Sequence, residues 1–239
     1  PIYLEGAYMA IAAPKSYDTS LGELLEGVGK GTHQLPEFQR SWTWDDGRIR
    51  NIIASLTQGY PMGALMRLEC GGSEVRLKYR AFEGTHGISR EPNYLVLDGQ
   101  QRLTSLYCSL FGKDPVSTSN ERGQKLSRFY YLNMRRCLDP EEAIASISDK
   151  RVVIEDIGRK IVLDLTSRER EIEELMFPAN LVFDSQGRDD WFTEFIEHYG
   201  LKSEEYALWK DFKENVLRTM EDYKIPVITL DKTTPREAV

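Results

Sequence analysis

Three observations predict an α+β fold for this chain. Short apolar segments of strand length, such as Tyr94–Leu97, occur between segments whose apolar residues recur at helical spacing. The clearest helical stripe is formed by Ile49, Ile52, Ile53 and Leu56. Turns that contain glycine separate the segments. Because each amphipathic element must bury its apolar face against another, short strands with helices between them indicate an α/β or α+β unit.

The composition excludes several classes of protein. The 239 residues carry 31 Lys and Arg against 38 Asp and Glu, a net charge of −7. Such a chain has no general basic coat for nucleic acid, although it can hold a local basic site. No apolar stretch reaches the ~20 residues of a membrane span, so we expect no membrane partner. Three widely spaced cysteines form neither a disulfide framework nor a zinc pattern, which favours a reducing, cytoplasmic location.

The elements of the first part follow from local signals. Ser20 and Glu23 form a capping box that opens a short helix, and Gly27 is expected to end it. An extended segment, His33–Trp44, leads into a strong helix at Asp45–Gln58. Two strands, Ala64–Leu68 and Val75–Tyr79, are predicted to form a hairpin around Gly71-Gly72. A buried strand at Tyr94–Leu97 then runs directly into a helix at Gln100–Phe111.

The later part is less regular. After a polar loop at Lys113–Gln124, the pattern predicts strands and then helices, with a last strand near the end. The predicted strands are Phe129–Leu132, Val152–Ile154, Ile161–Leu165 and Tyr223–Leu230, and the predicted helices are Asp189–Tyr199 and Glu204–Tyr223. We therefore divide the chain into a core, 1–115, and a mixed α/β extension of the same module, 116–239.

The final residues predict that a helix begins there. Thr234 is a good N-cap, Pro235 suits the first helical position, and Glu237 stands where a capping box needs it. We therefore expect the chain to be a fragment that stops before a C-terminal domain, the alternative being a chance capping pattern.

The sharpest chemical feature is the run Asp98-Gly99-Gln100-Gln101-Arg102, where a buried strand turns into a helix. The first turn of a helix has unpaired N–H groups that suit a phosphate, and Arg102 adds a fixed cation. Asp98 can hold Mg²⁺ or orient a water molecule, and Gln100 and Gln101 can position a water or a phosphate oxygen. These are the parts that phosphoryl transfer requires. The alternative is an Asp98 N-cap followed by solvated glutamine and arginine side chains.

A second feature is the aromatic-rich segment around Arg40. An arginine beside Phe38, Trp42 and Trp44 can hold a phosphate while an aromatic face contacts a base or sugar. The alternative is that the tryptophans belong to the core, which fits Trp44 best. Other chemistries find no support, because the three histidines have no zinc spacing and no nucleophile elbow is present. Glu171–Glu174 is expected to be a solvated helix face.

Together these motifs resemble a known family. The segments Leu35–Trp44, Gly59–Gly63 and Leu97–Leu106 look like the N-terminal domain of GmrSD-type and SspE-type DNA restriction proteins, and Tyr223–Ile228 fits the same family. The resemblance is strong over Leu35–Phe111. It implies an α+β, ParB/sulfiredoxin-like fold, in which a small mixed sheet with helices is followed by a mixed helical extension.

The resemblance also implies a function. It implies hydrolysis of a nucleoside triphosphate (GTP, ATP or CTP) with Mg²⁺ held at Asp98, and catalytic roles for Asp98, Gln100, Gln101 and Arg102. Nucleotide contacts are carried over to Gln39, Arg40, Gly99 and Thr104, and DNA contacts to Phe38, Arg40 and Trp42. This chain has Phe38 where many relatives have tyrosine, so it lacks that hydroxyl.

The expected partners are a nucleoside triphosphate, modified or foreign DNA, and an HNH-type nuclease domain in the full-length protein or in a partner chain. On this interpretation the chain is the DNA-sensing NTPase module of an anti-phage restriction system. The alternative is a regulatory module that binds nucleotide or DNA without turnover and signals to the nuclease.

Overall fold

The computed structural model describes residues 13–71, 77–137, 142–155 and 160–234 and confirms an α+β fold. The strands in chain order are β1 Lys15–Ser20, β2 His33–Pro36, β3 Leu65–Glu69, β4 Tyr79–Arg80, β5 Tyr94–Asp98, β6 Val116–Ser119, β7 Lys125–Asn133, β8 Ile144–Ser148, β9 Val152–Glu155, β10 Lys160–Asp164, β11 Met176–Pro178 and β12 Lys224–Leu230. The helices are α1 Leu21–Gly29, α2 Asp46–Thr57, α3 Gln100–Leu110, α4 Arg168–Glu173, α5 Ser185–Tyr199, α6 Glu204–Phe212 and α7 Arg218–Glu221.

A six-stranded mixed sheet forms the first layer, in the order β1-β12-β3-β5-β2-β4. The last strand, β12, lies between β1 and β3, antiparallel to β1 and parallel to β3. Residues from both predicted parts of the chain therefore share this sheet. They also share the main core, which extends from Leu21 to Val227. The division at residue 115 remains a prediction.

The second layer is built on β7, which pairs with β6, β8 and β11. Its strand β6 lies in the segment predicted as a polar loop, so that prediction was wrong for Val116–Ser119. Of these residues only Val116 is buried, and the others gain strand structure from the antiparallel register with β7, as in Ser117 opposite Ser127. The predicted pair β9 and β10 is confirmed as an antiparallel ladder.

The start of the chain differs from the prediction. The Ser20 side chain makes no capping bond; instead, the Leu21 N–H donates to the Tyr223 carbonyl at 2.9 Å. The helix continues past Gly27 to Gly29, so the predicted end was wrong. A Cβ on Gly27 would lie 2.3 Å from His33 Nδ1, so glycine at this position leaves room for the His33 ring. Strand β1 was not predicted, because its polar sequence becomes a strand only through pairing with β12.

The predicted hairpin is only partly observed. Strand β3 is confirmed, while residues 72–76 lie outside the described part of the chain. Beyond them, β4 pairs with β2 through Leu35 and Arg80 rather than with β3. The helix start predicted at Thr234 also falls on residues outside the described range, 235–239.

The long predicted helices are confirmed with small changes at their ends. Asp45 caps α2, accepting from the Arg48 N–H at 2.9 Å, and Asp184 caps α5, accepting from the Gly187 N–H at 3.0 Å. The predicted helix at Glu204–Tyr223 consists of α6, a π-helical stretch at Lys213–Leu217 and α7. These helices close over a buried aromatic cluster, in which Trp191 stacks on Trp209 with 5.4 Å between ring centroids.

Glu171 is buried, so the expectation of a solvated helix face was wrong for this residue. It is 4% exposed and receives a hydrogen bond from the Tyr131 hydroxyl at 3.4 Å. Arg151 and Arg168 lie 3.6 and 3.7 Å from its carboxylate oxygens. Burial raises the pKa of Glu171 to about 7, although the two arginines act in the opposite direction.

Glu171→Gln should change how stability depends on pH. The folded protein holds the Glu171 proton more tightly than the unfolded chain does, so the folded state should lose stability as the pH rises from about 4.5 towards 7. We expect the stability of the variant relative to the parent to rise by about 1–3 kcal/mol between pH 5 and pH 8. Urea unfolding of both proteins across this range measures the difference.

The control is Glu169→Gln on the exposed side of α4. Its stability relative to the parent should change little over the same range. A pH-independent difference for Glu171→Gln would contradict the raised pKa.

Candidate functional site

The site is built on the turn between β5 and α3. Strand β5 ends at Asp98, and Gly99 follows with φ of 90° before α3 begins at Gln100. A Cβ on Gly99 would lie 1.9 Å from Leu65 Cδ2, so both the backbone conformation and the space require glycine. The N-cap of α3 is Gly99 rather than Asp98, which leaves the Asp98 side chain 73% exposed.

The first turn of α3 presents open backbone donors. Gly99 supplies no side-chain cap, and the N–H groups of Gln100, Gln101 and Arg102 have no partner among the described residues. Such a helix end carries a partial positive charge and attracts anions. These N–H groups are therefore left open at the position where the sequence predicts an anion site, and anion binding there stays a prediction.

The two glutamines of the motif are buried and hold the loop 40–43. Gln100 Nε2 donates to the Arg40 carbonyl at 2.8 Å. Gln101 Nε2 donates to the Ser41 carbonyl at 3.2 Å, while its Oε1 accepts from the Thr43 N–H at 2.9 Å. Their exposures are 6% and 8%, so the alternative of solvated side chains was wrong for both glutamines. Both amides fasten the loop to the start of α3.

Gln39, just before this loop, connects it to the end of β5. Its Nε2 donates to the Val96 and Leu97 carbonyls at 2.9 and 2.7 Å, close to the end of β5. These two bonds fix which way the amide points, and Oε1 remains buried without a donor among the described residues. A buried acceptor without a donor is costly, so this atom is an exception to the usual pairing of buried polar groups.

Arg40 is held by its main chain and free at its side chain. Its carbonyl accepts from Gln100 and, at 3.2 Å, from Arg80 Nη2. Its side chain is exposed, and its guanidinium makes no ion pair within the described parts of the chain. The loop therefore presents this cation from a fixed backbone position.

Arg102 is engaged by the backbone of the preceding turn. Its guanidinium donates to the Met62 carbonyl and, at 2.7 Å, to the Ala64 carbonyl. The Asp98 carboxylate lies 3.4 Å away, and the side chain is only 24% exposed. Gly63 makes room for this contact, because a Cβ there would lie 2.8 Å from Nη1. Arg102 thus supports the turn beneath α3.

These groups surround a groove of about 360 Å³. Its lining consists of residues from the loop, the end of β5 and the start of α3: Gln39, Arg40, Trp44, Leu97, Asp98, Gly99, Gln100, Gln101 and Arg102. Asp98 is the one carboxylate in this lining. Across the described residues, no cluster of three or more His, Cys, Asp or Glu side chains could hold a metal ion.

Three predicted contact residues lie outside this lining. Phe38 is 67% exposed on the same loop. Trp42 lines a different cavity, and its Nε1 donates to Ser105 Oγ at 3.0 Å. Thr104 is fully buried inside α3, and its hydroxyl has no partner in the described residues. The structure does not bring Thr104 to the groove.

Sequence reasoning missed Glu83 and Arg80. Glu83 Oε1 accepts from the Trp42 N–H at 3.1 Å and from Arg80 Nη1 at 3.1 Å. Arg80 lies in the two-residue strand β4 and Glu83 follows it closely, and neither belongs to a recognisable motif, so nothing in the sequence pointed to them. They complete the support of the loop that carries Arg40.

Within the described part of the chain, no helix is both long enough and apolar enough to cross a membrane. The three cysteines are free thiols, and burial raises the pKa of Cys108 and Cys137 to about 12.

Comparison with known proteins gives a family match over most of the chain. The model of the GmrSD restriction endonuclease N-terminal domain matches residues 21–239, which include both motifs. An uncharacterised protein of Methanocaldococcus jannaschii is 25% identical over 228 residues, covering 90% of this chain. The chain spans 36% of the length of that relative.

Arg102→Ala should lower stability. It removes donors from the Met62 and Ala64 carbonyls, and such losses cost about 2–4 kcal/mol in partly buried positions. Chemical denaturation measures the change. The matched control is Arg48→Ala, whose side chain is 64% exposed and which should change stability by less than about 1 kcal/mol. Equal stability of Arg102→Ala and the parent would contradict the supporting role.

Proposed function

Because the chain belongs to the family of GmrSD restriction endonuclease N-terminal domains, we propose that it is the nucleotide-hydrolysing, DNA-sensing module of a modification-dependent restriction system. The observation that carries the proposal is the groove at the start of α3. There the start of α3, with its open N–H groups, lines one space together with Arg40 and Asp98.

The groove suits a polyphosphate. Unpaired N–H groups at the start of α3 donate to phosphate oxygens, and the helix dipole favours their negative charge. Arg40 adds a cation whose charge is not neutralised by a described neighbour. Gln39 lines the same groove and would hold the loop in place beside the bound phosphates.

The groove also fits a magnesium ion brought in with the nucleotide. Mg²⁺ commonly uses one or two protein carboxylates and takes its other ligands from phosphates and water. Asp98 is exposed, stands beside the open helix end and is the residue that would hold the ion. When bound, the ion would supply charge neutralisation for phosphoryl transfer.

The remaining motif residues would act in hydrolysis from defined positions. Gln100 uses its amide nitrogen to hold the loop, so its oxygen is the atom that would accept a hydrogen bond from the attacking water and orient it. Gln101 has both ends of its amide engaged and would keep Arg40 in place. Arg102 would contribute fixed positive charge at the groove wall.

DNA sensing would use the loop that carries Arg40. Phe38 is exposed on this loop and offers an aromatic face for a base or sugar, with Arg40 available for a backbone phosphate. Trp42, which lines a neighbouring cavity, would provide a further contact to the DNA. In the full-length protein or a partner chain, an HNH-type nuclease domain would receive the signal.

A second candidate is a module that binds nucleotide or DNA without turnover. The observation in its favour is that Gln101 and Arg102, two of the predicted catalytic side chains, are occupied by backbone groups. In this case the groove would bind a phosphate, and the loop would transmit the effect of binding to the nuclease domain.

Asp98→Asn and Arg40→Ala should separate these functions. We expect Arg40→Ala to weaken nucleotide binding by about tenfold or more, because one charge-assisted phosphate contact is lost. We expect Asp98→Asn to retain binding of the nucleotide but to lose magnesium-dependent hydrolysis by about a hundredfold. Phosphate release with GTP, ATP and CTP, with and without DNA, measures turnover, and calorimetry measures binding.

Arg48→Ala serves as the charge-matched control for Arg40→Ala, because Arg48 is exposed and lies outside the groove. Hydrolysis by Asp98→Asn at the parent rate would remove Asp98 from the mechanism. Tight binding without phosphate release in the full-length parent would establish the non-catalytic candidate.

A further inference from the structure

A small pocket of about 220 Å³ lies between β7, the turn that joins β8 to β9, and α4. Its charged lining consists of Arg151, Arg168 and Glu171, and Glu171 is the one carboxylate that the described residues contribute. The two arginine side chains are 36% and 34% exposed, so solvent reaches both of them. The lining of the groove at α3 includes none of these residues. The pocket is therefore separate from that groove and carries an excess of positive charge.

The two arginines are only loosely paired with Glu171. Arg151 Nη1 and Arg168 Nε lie 3.6 and 3.7 Å from its carboxylate oxygens, beyond the ~3.2 Å limit of a good hydrogen bond. Arg168 Nη1 donates to Glu194 at 3.3 Å, whereas the Arg151 guanidinium makes no hydrogen bond within the described parts of the chain. Most of the N–H donors of the two guanidinium groups therefore remain available to a ligand.

Arg151 occupies a backbone position that glycine or asparagine usually takes. Its φ is 56°, in the left-handed region, at the end of the turn between β8 and β9. Its N–H donates to the Ser148 carbonyl and its carbonyl accepts from the Leu165 N–H, both at 2.8 Å. The guanidinium lies over the Phe129 ring, 4.3 Å from its centroid. An arginine that is held in this strained conformation at a pocket wall points to a function of its side chain.

The remaining polar groups also favour an anion. Burial raises the pKa of Glu171 to about 7, so at neutral pH this carboxylate offsets only part of the charge of the two arginines. The Asn180 side chain lines the same pocket from a one-turn helix, Ala179–Leu181, and adds a neutral amide donor. Donors therefore come from three separate elements of the fold.

We propose that this pocket binds a small free oxyanion of the phosphate class, held between Arg151 and Arg168. A tetrahedral ion has oxygens on all sides, which suits donors that come from three elements. The volume is below the range of about 300–1,000 Å³ that is typical of cavities for organic ligands, so an ion fits better than a nucleotide. The inference does not rest on nucleotide hydrolysis at α3, because the two sites have no lining residue in common.

Arg151→Asn provides the principal test. Calorimetric titration with sodium phosphate, in a buffer without other oxyanions, should show binding by the parent. The variant should bind about tenfold or more weakly, because it loses a charge-assisted contact. Asparagine adopts a positive φ more readily than arginine, so the variant should unfold in urea no earlier than the parent. Equal binding by Arg151→Asn and the parent, or no binding by the parent at millimolar phosphate, would overturn the proposal.

Glu171→Gln should change phosphate binding in the opposite direction. It removes the carboxylate that competes with the ion for both guanidinium groups and keeps the size of the side chain. We expect phosphate to bind about threefold or more tightly. A loss of stability would not produce this gain, so the result is independent of folding defects. Weaker binding by Glu171→Gln would contradict an anion held by the two arginines.

Two control variants assign the measured binding to the pocket. Lys150→Asn makes the same charge change in the same turn, but Lys150 is exposed and lies outside the pocket, so binding should not change. Arg40→Ala removes the cation of the groove at α3. Heat of binding that persists in Arg40→Ala and disappears in Arg151→Asn belongs to the pocket. The reverse result would assign phosphate to the groove alone and overturn the proposal.

Two further ligands test the kind of anion. Acetate is planar and carries a single charge, so it should bind more weakly than phosphate. Glycerol 2-phosphate carries the same phosphate group on a larger molecule, and the small volume of the pocket should make it bind more weakly than the free ion. Tighter binding of acetate would overturn the assignment to a tetrahedral ion, and tighter binding of glycerol 2-phosphate would overturn the assignment to a free one.

Discussion

The structure around the site depends on two buried amides. Gln100 and Gln101 lie in the first turn of α3, where an unpaired polar side chain would be costly, and the backbone of loop 40–43 supplies their partners. The same hydrogen bonds hold the loop, because its backbone carbonyl and N–H groups bond to the glutamine amides instead of to water. These hydrogen bonds place Arg40 beside the open N-terminal end of α3.

Hydrogen bonds to the backbone and ion pairs also determine which charged side chains near the groove remain available to a ligand. Arg102 is taken up by the carbonyls of the turn at Met62–Ala64, and Glu83 is taken up by Arg80 and the loop backbone. Asp98 keeps an exposed carboxylate because Gly99, not Asp98, caps α3. Among the described residues, the groove therefore offers the exposed Arg40 cation and the Asp98 carboxylate beside an open helix end, while the Arg102 charge is fixed in its wall. This set suits a phosphate with its metal ion better than it suits a neutral ligand.

One loop connects the groove to the cavity that Trp42 lines. Arg40 and Trp44 line the groove, while Trp42 lies between them in sequence and lines the other cavity. Helix α3 is common to both, through its first turn and through Tyr107. The same short backbone segment therefore borders both cavities.

The sequence by itself determined the α+β class, the long helices and the strand-to-helix turn at Asp98–Arg102, because these follow from local periodicity and turn chemistry. It also placed Arg40 and Asp98 among the candidate site residues. Only the tertiary structure decided that β1 and β6 are strands, since polar segments gain strand structure from their partners. It likewise decided that Gln100, Gln101 and Arg102 hold the backbone, and that Glu83 is in contact with the loop. Hydrogen bonds between residues that are distant in the sequence leave no local sequence pattern. These partners can therefore be identified only in the folded structure.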